Sequence, residues 1–282
     1  ADPEAVATFQ ADLAQLGDVY VFDAFSIAHQ AHSSTVGLQA VMGGLAGPLV
    51  QAELAAFRLV LDPSPDQRPV TAIVGGARIV DKVQVMAHLI DRVDRLIVCG
   101  GLAYLFMKTC FGIGIGKSLF DARAADIASH VLDKAQFRGV DVVFPRDWAC
   151  LRDFGSGSDP DLIRTFTWEE GIPAGWEGMD CGPQSHELFR GAILASRTVL
   201  LTGTPGVCEF APFATGTQTI LETLAASTAA GAHTVIGGAS AARAAARFGV
   251  VDRLSCVSTG ANATLALLQG RALPAVAGLD DG

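Results

Sequence analysis

Short apolar runs that end in glycine and lead into helical patterns recur along the chain. There are four such runs. The run at 70–74 is followed by Gly75 and Gly76, and the run at 95–98 by Gly100 and Gly101. The run at 197–201 leads to Gly203, and the run at 233–236 to Gly237 and Gly238. A fifth strand is predicted at 141–144. Because parallel strands need crossover connections, usually helices, this repeat predicts an α/β fold with a doubly wound parallel sheet.

The four glycine turns fall at the carboxyl ends of the predicted strands, where ligands bind in sheets of this kind. Glycine lets the backbone approach a phosphate closely, and the helix that follows offers free N–H groups. Glycine also makes tight turns where no ligand binds, so a single turn would indicate little. Four turns at equivalent places favour a nucleotide site.

Composition limits the class of protein. The chain has 282 residues, 50% of them hydrophobic, and a formal net charge of −9, which argues against nucleic acid and anionic membranes as partners. No apolar run reaches the ~18 residues of a membrane span, so we expect no membrane insertion. Six cysteines without CxxC spacing indicate free thiols in an intracellular, reducing compartment, with cytoplasm and organelle both open.

Two motifs that would indicate other chemistry are incomplete. Residues 112–118, GIGIGKS, lack the first glycine of a P-loop, because Phe111 occupies that place. His29 and His32 lie three residues apart, but no third ligand accompanies them, so no metal site is predicted.

The first part of the chain, residues 1–69, is less regular. Its pattern predicts a helix at 4–16 with Asp2 as N-cap, a strand at 18–25 and a helix at 49–61. The predicted strand is apolar on both faces, since Val19 and Val21 alternate with Tyr20 and Phe22. Such a strand is typical of the middle of a sheet, with neighbours on each side.

Six segments resemble the phosphoglycerate kinase family. Residues 17–34, GDVYVFDAFSIAHQAHSS, resemble its signature GDVYVNDAFGTAHRAHSS, and residues 74–82, VGGARIVDK, resemble VGGAKVSDK. Residues 171–183, GIPAGWEGMDCGP, are similar to GIPDGWMGLDIGP. Shorter matches follow in the same order: 202–209 with NGPMGVFE, 236–241 with IGGGDTA, and 258–264 with STGGGAS.

The resemblance implies a two-lobed enzyme that moves a phosphoryl group between 1,3-bisphosphoglycerate and ADP with magnesium. It implies three parts: a partial N-terminal, phosphoglycerate-side lobe at 1–69, a nucleotide-binding C-terminal lobe at 70–264, and a tail at 265–282 that returns to the N-terminal lobe. The first half of the N-terminal lobe has no counterpart in the sequence.

The resemblance also assigns nucleotide-binding positions, with Glu209 near the ribose and Leu119 in the adenine wall. The others are Gly75, Gly76, Gly100, Gly101, Gly182, Pro183, Gly206, Val207, Gly237 and Gly238. Lys82 matches a family lysine and is the retained catalytic-side position.

Other positions depart from the family. Ser240 stands where the family has the Asp associated with magnesium, and a hydroxyl brings no charge to a metal. Ala261 and Asn262 replace two glycines, Gln30 replaces an arginine on the phosphoglycerate side, and Arg78 replaces a lysine. With no catalytic set intact, we expect no cofactor, or MgADP or MgATP if any binds.

The first hypothesis is therefore a catalytically inactive pseudoenzyme that serves as a structural or accessory subunit of a larger assembly. In this hypothesis, other protein chains or an upstream segment complete the N-terminal lobe. Two alternatives remain: an active phosphoglycerate kinase seen in part, and a nucleotide-binding regulator that does not transfer phosphate.

Overall fold

The computed structural model of the protein describes residues 2–152 and 162–280. The described strands are β1 (Val21–Phe22), β2 (Leu45–Ala46), β3 (Val70–Val74), β4 (Arg95–Val98), β5 (Asp141–Val143), β6 (Asp147–Leu151), β7 (Ile163–Thr167), β8 (Glu177–Cys181), β9 (Thr198–Thr202), β10 (His233–Gly237) and β11 (Cys256–Val257). The described α-helices are α1 (Pro3–Ala14), α2 (Leu38–Met42), α3 (Pro48–Leu61), α4 (Ile79–Leu89), α5 (Gly101–Phe111), α6 (Ala125–Arg138), α7 (Pro183–Leu194), α8 (Thr215–Ala229), α9 (Ala239–Arg247), α10 (Asn262–Leu268) and α11 (Pro274–Ala277).

A six-stranded parallel sheet with the order β11-β10-β9-β3-β4-β5 forms the centre. Its strands alternate apolar side chains between two buried layers, as strand geometry requires. In β3, Ala72 and Val74 belong to the layer that contains α3, α4, α5 and α6, whereas Ile73 belongs to the layer with α7, α8 and α9. Helices therefore cover both faces, and the predicted doubly wound α/β sheet is confirmed.

The sheet order reverses between β3 and β9, because the chain runs outward from β3 through β4 to β5 and later from β9 through β10 to β11. The register aligns Val74 with Thr202 and Thr202 with Gly237, so these strands end level with one another. In doubly wound sheets, ligands bind outside the carboxyl ends at such a reversal.

A second, three-stranded antiparallel sheet, β7-β6-β8, flanks the first and was not predicted. Aromatic side chains fill its contact with α5: the ring centroids of Trp148 and Trp168 lie 5.8 Å apart, and those of Phe111 and Trp168 lie 5.1 Å apart. Stacked and edge-to-face pairs of this kind bury large apolar area and fix relative orientation.

The predicted strand at 18–25 is wrong in length. Only Val21 and Phe22 form a strand, which pairs in parallel with β2, and the chain then enters a 3₁₀ turn, Phe25–Ile27. The turn directs the Phe25 ring into the core, 6.3 Å from the ring of Phe57. The predicted N-cap is confirmed, because the Asp2 carboxylate accepts a hydrogen bond from the Glu4 N–H.

The C-terminal segment contacts the N-terminal one. Gln39 donates a side-chain hydrogen bond of 2.6 Å to the carbonyl of Ala275, and the Asp280 carboxylate accepts one from Gly44. Residues 1, 281 and 282, which the sequence assigned to the first and last parts, lie outside the described residues, and the boundaries at 69 and 264 stay a prediction. Within the described ranges, no helix is both long and apolar enough to span a membrane.

We expect Gly203→Ala to destabilise the fold strongly. Gly203 has φ +86°, and an added Cβ would overlap the carbonyl oxygen of Gly75. Left-handed strain and overpacking together predict a loss of about 2–5 kcal/mol in the free energy of unfolding, measured by urea titration. Gly139→Ala is the matched control: its φ is +70° but its Cβ would meet nothing within 4 Å, so strain alone, about 1–2 kcal/mol, is expected. Equal losses would contradict this assignment.

Candidate functional site

The glycine turns at the carboxyl edge of the sheet pack directly against one another. A Cβ on Gly100 would lie 2.6 Å from the Gly76 nitrogen and 2.9 Å from the Thr204 carbonyl oxygen, and one on Gly75 would lie 2.7 Å from that same oxygen. Real Cβ contacts are not that short, so glycine is required for the turns to meet. These glycines have a packing role whether or not a ligand binds nearby.

Beside these turns lies a cleft of about 270 Å³. Its polar lining consists of Arg78, Lys82, Thr202, Ser240, Arg243 and Asn262. Gly238, Ala239, Ala261 and Leu265 complete the lining. The cleft therefore brings together the beginnings of α4, α9 and α10 at the end of β9, next to the point where the strand order reverses.

Lys82 forms the floor of the cleft and is buried. Its ammonium group donates a hydrogen bond to the Thr202 hydroxyl, at the end of β9. The backbone of Gly238 passes close to both groups, since a Cβ there would lie 3.6 Å from Thr202 Oγ1 and 3.9 Å from Lys82 Nζ. Burial, followed by the positive charge of Arg78, lowers the pKa of Lys82 to about 8. An anion in the cleft would stabilise its protonated form.

Arg78 bridges two helices at the mouth of the cleft. Its guanidinium donates to the Asp81 carboxylate at 2.8 Å and to the side-chain oxygen of Asn262 at 3.3 Å. Its side chain is 61% exposed, so it can turn toward a ligand without leaving a buried charge behind.

Arg243 is the charged lining residue that sequence reasoning missed. It follows Ala239 by four positions and Ser240 by three on α9, so the helical period places the three on one face. That spacing was the available signal, because the resemblance at 236–241 ends before Arg243. The Arg243 side chain makes no hydrogen bond or ion pair with the part of the chain that the structure describes.

Other predicted nucleotide positions surround buried carboxylates instead. A Cβ on Gly182 would overlap the Asp147 carboxylate, and one on Gly206 would overlap that of Asp180. Burial raises the pKa of Asp180 to about 7, although the carboxylate accepts hydrogen bonds from two backbone N–H groups. Pro183 begins α7, and the Val207 N–H donates to the Met179 carbonyl at 2.9 Å. None of these four positions lines the described cleft.

The remaining predicted positions are dispersed. Leu119 is 42% exposed and lies against Gly101, where an added Cβ would come within 2.8 Å of its side chain. A Cβ on Gly237 would meet Thr264 at 2.9 Å, so that glycine is a packing position. Gln30 and Glu209 are exposed, with the Gln30 amide hydrogen bonded to the neighbouring histidines, and neither lines the cleft.

Comparison with known proteins identifies the family. The family model described as phosphoglycerate kinase matches residues 1–271. The chain belongs to the phosphoglycerate kinase family. It is 42% identical over 281 residues to the phosphoglycerate kinase of Saccharomyces cerevisiae, covering 100% of this chain and 66% of that protein. It is 44% identical over 279 residues to that of Funneliformis mosseae, covering 99% of this chain and 66% of the relative.

Solved structures of phosphoglycerate kinases also resemble the chain. The structure of phosphoglycerate kinase from Coxiella burnetii matches with a TM-score of 0.86 and 31% identity, covering 96% of this chain and 68% of that chain. The structure from Pyrococcus horikoshii matches in fold, with a TM-score of 0.80 and 23% identity, over 98% of this chain and 67% of that one. This chain therefore spans about two thirds of the length of its curated relatives, 66% in the yeast case.

A phosphoglycerate kinase is expected to work with a magnesium nucleotide, but the side chains around this cleft do not fit the metal. Among the described residues, no carboxylate lines the cleft, and Ser240 offers an uncharged hydroxyl. Asp81 is the acidic residue beside it and is ion-paired with Arg78 at 2.7 Å. No group of three or more His, Cys, Asp or Glu within 2–152 and 162–280 could hold a metal ion. Magnesium prefers carboxylate and phosphate oxygens.

Ala261 carries the one positive φ among the described residues other than glycine, at 41°. It lies at the start of α10 and in the wall of the cleft. For alanine, left-handed geometry costs about 1–2 kcal/mol because Cβ approaches the backbone. The turn at Ala261 is therefore locally strained.

We expect Ala261→Gly to stabilise the protein. Glycine removes the strain of about 1–2 kcal/mol but adds freedom to the unfolded chain worth about 0.4–1 kcal/mol, so a net gain of about 0.5–1 kcal/mol is expected in urea unfolding. Ala226→Gly in the helix α8, where glycine has no such advantage, is the control and should lose about 0.5–1 kcal/mol. A loss at position 261 would show that Ala261 is unstrained.

Anion binding to the cleft should weaken as pH rises. Lys82 binds anions as the ammonium, and its pKa of about 8 means that affinity is constant below that pH and falls as pH rises through it. Binding of sulfate, whose charge does not change over this range, should decline by up to about tenfold per pH unit above 8 when followed by calorimetry from pH 7 to 9.5. In Lys82→Met the decline should disappear. An undiminished affinity at pH 9.5 in the unsubstituted protein would contradict the assignment of Lys82.

Proposed function

We propose that the whole protein to which this chain belongs is a slow phosphoglycerate kinase, with this chain supplying the nucleotide side. The observation that carries the proposal is the cleft at the strand ends, where Lys82, Arg78 and Arg243 converge in a member of this family. A cationic cleft at the reversal of a doubly wound sheet is suited to nucleotide phosphates.

The cleft's own groups suit phosphoryl transfer, which needs positioning and charge stabilisation more than covalent chemistry by the protein. Lys82 is held by Thr202, so its position is set before a ligand arrives. The N-terminus of α9 presents backbone N–H groups beside it, and Arg78 can approach from the mouth. These groups would bind the phosphates and stabilise charge that develops during transfer.

Three substitutions support a lowered rate. Ser240 brings no charge to the cleft, and Ala261 strains its wall. By the resemblance, Gln30 replaces a cation on the phosphoglycerate side. Losing one preorganised stabilising group costs about 10²–10³ in turnover, and losses within one site do not add simply. We infer a turnover lower than that of the yeast relative by about 10²–10³.

The second candidate is the inactive accessory subunit. The strained Ala261 favours it, because selection for a phosphate-binding turn would restore glycine there. The relatives favour an active kinase, since the two compared above, at 42% and 44% identity, are both named phosphoglycerate kinase. The six free cysteines support a reducing compartment for either candidate.

A coupled assay of the complete natural protein, with 3-phosphoglycerate and ATP, separates the candidates. We expect slow turnover in the unsubstituted protein and at least about a tenfold increase in the double variant Ser240→Asp, Ala261→Gly, because it restores a charge and a relaxed turn. Ser129→Asp on the exposed face of α6 is the control and should change nothing. Absence of turnover in the unsubstituted protein and in both variants would refute the kinase proposal and support the accessory subunit. Nucleotide binding without turnover would indicate a regulator.

Exposed large apolar side chains on the N-terminal part, here together called the open face, support a covering partner. It consists of Phe9, Leu16, Val19, Val21, Val41, Leu45 and Leu49, whose exposed fractions run from 40% to 82%. Exposed apolar side chains in such number favour an interaction surface on this part of the chain. We propose that polypeptide outside these 282 residues covers the open face, and the third of the relatives' length that this chain does not match is the occupant we infer.

The open face can be tested by a charge substitution. Val21 is 50% exposed in this chain, so Val21→Asp should be nearly neutral in the isolated chain but should lower stability in the complete protein by about 2 kcal/mol or more if the face is covered. Phe137→Asp on α6, where Phe137 is 86% exposed, is the control and should stay within about 0.5 kcal/mol in both. Neutrality of Val21→Asp in the complete protein would refute the covering partner.

A further inference from the structure

The cleft concentrates positive charge without an acidic residue to balance it. Lys82, Arg78 and Arg243 line it, and none of its described lining residues carries a carboxylate. Arg78 is already paired with Asp81, whereas Arg243 has no partner among the residues described. An exposed, unpaired arginine on a cleft wall is available to form two parallel hydrogen bonds to phosphate oxygens.

The N-terminus of α9 adds to this charge. The helix has nine residues, and Gly238 at its N-cap offers no side chain to satisfy the first N–H groups. Those groups and the helix dipole favour an anion at the same end of the helix from which Ser240 and Arg243 line the cleft. The helix end alone would indicate little, but the buried Lys82 and the unpaired Arg243 converge on the same space.

We propose that the cleft binds the phosphate chain of a nucleoside diphosphate or of inorganic pyrophosphate without a divalent cation, and that Arg243 supplies the charge that a metal would otherwise bring. The proposal rests on the nucleotide binding proposed above and concerns only which form of the ligand binds. Lys82 contacts the anion from the floor and Arg243 from the α9 side, with Arg78 closing the mouth.

The size of the cleft limits the ligand. Pockets that enclose a drug-sized molecule measure about 300–1,000 Å³. This cleft measures about 270 Å³, which suits a phosphate chain and leaves the nucleoside outside. Inorganic pyrophosphate should therefore bind by itself.

The sign of the magnesium effect follows from the charges. A magnesium ion bound to pyrophosphate cancels two of its negative charges and places a cation beside Lys82 and Arg243. Both changes weaken the attraction of pyrophosphate to a cationic site. A site with a metal-binding carboxylate would instead bind the magnesium complex more tightly. Magnesium should thus lower affinity here.

Calorimetry on the complete natural protein at pH 7.5 tests this, with inorganic pyrophosphate and ADP each titrated in EDTA and in excess magnesium. We expect both ligands to bind about threefold to tenfold more tightly in EDTA. Tighter binding in magnesium for both ligands would overturn the proposal. Turnover in the coupled assay is a separate readout, so a failure of the kinase proposal would leave this result unaffected.

Substitutions assign the effect to Arg243. Arg243→Ala should weaken pyrophosphate binding in EDTA by about tenfold or more and should reduce the difference between EDTA and magnesium. Arg253→Ala removes an equally exposed arginine outside the cleft and should do neither. Ser240→Asp should reverse the preference, because its carboxylate repels the free anion and attracts the metal. Equal effects of Arg243→Ala and Arg253→Ala, or an unchanged preference in Ser240→Asp, would refute the assignment.

Discussion

The carboxyl ends of β3, β4 and β9 meet so closely that a side chain cannot fit between their turns. Gly100 lies against the Gly76 nitrogen and the Thr204 carbonyl, and Gly203 lies against Gly75. This contact holds three parallel strands level, so the helices that follow them begin around one point. Because α4 starts after β3 and α9 starts after β10, Lys82 and Arg243 converge on the end of β9. The cleft is thus a consequence of backbone contacts that only glycine allows.

The charge of the cleft depends on one buried cation. Lys82 loses hydration on burial, and the hydrogen bond to Thr202 compensates only part of that loss, so its proton is held weakly. The positive charge of Arg78 lowers the pKa of Lys82 further, and Arg243 adds positive charge on the other wall of the cleft. A site of this kind is most stable with an anion in it.

Much of the architecture could be predicted because parallel strands leave a strong local pattern: apolar runs such as 70–74 and 95–98, each stopping at glycine. The three-stranded sheet was missed because β6 and β8 contain the charged residues Asp147 and Asp180, which weaken the apolar pattern of a strand. The sequence does not show that these carboxylates are buried against Gly182 and Gly206. The strand at 18–25 was overextended because its apolar alternation continues through Phe25. In the structure, that ring turns inward to pack on Phe57 instead of continuing the strand.

By itself, the sequence determined the doubly wound fold and the family, since each depends on residue types at fixed local spacing. It also placed Arg243 one helical turn beyond Ala239. Only the tertiary structure decided what that arginine faces, because 149 residues lie between α4 and α9, and the two helices meet through the sheet register. Whether a positive charge is balanced depends on which groups lie within a few ångströms across the cleft, and that distance is set by packing, which a local pattern does not contain.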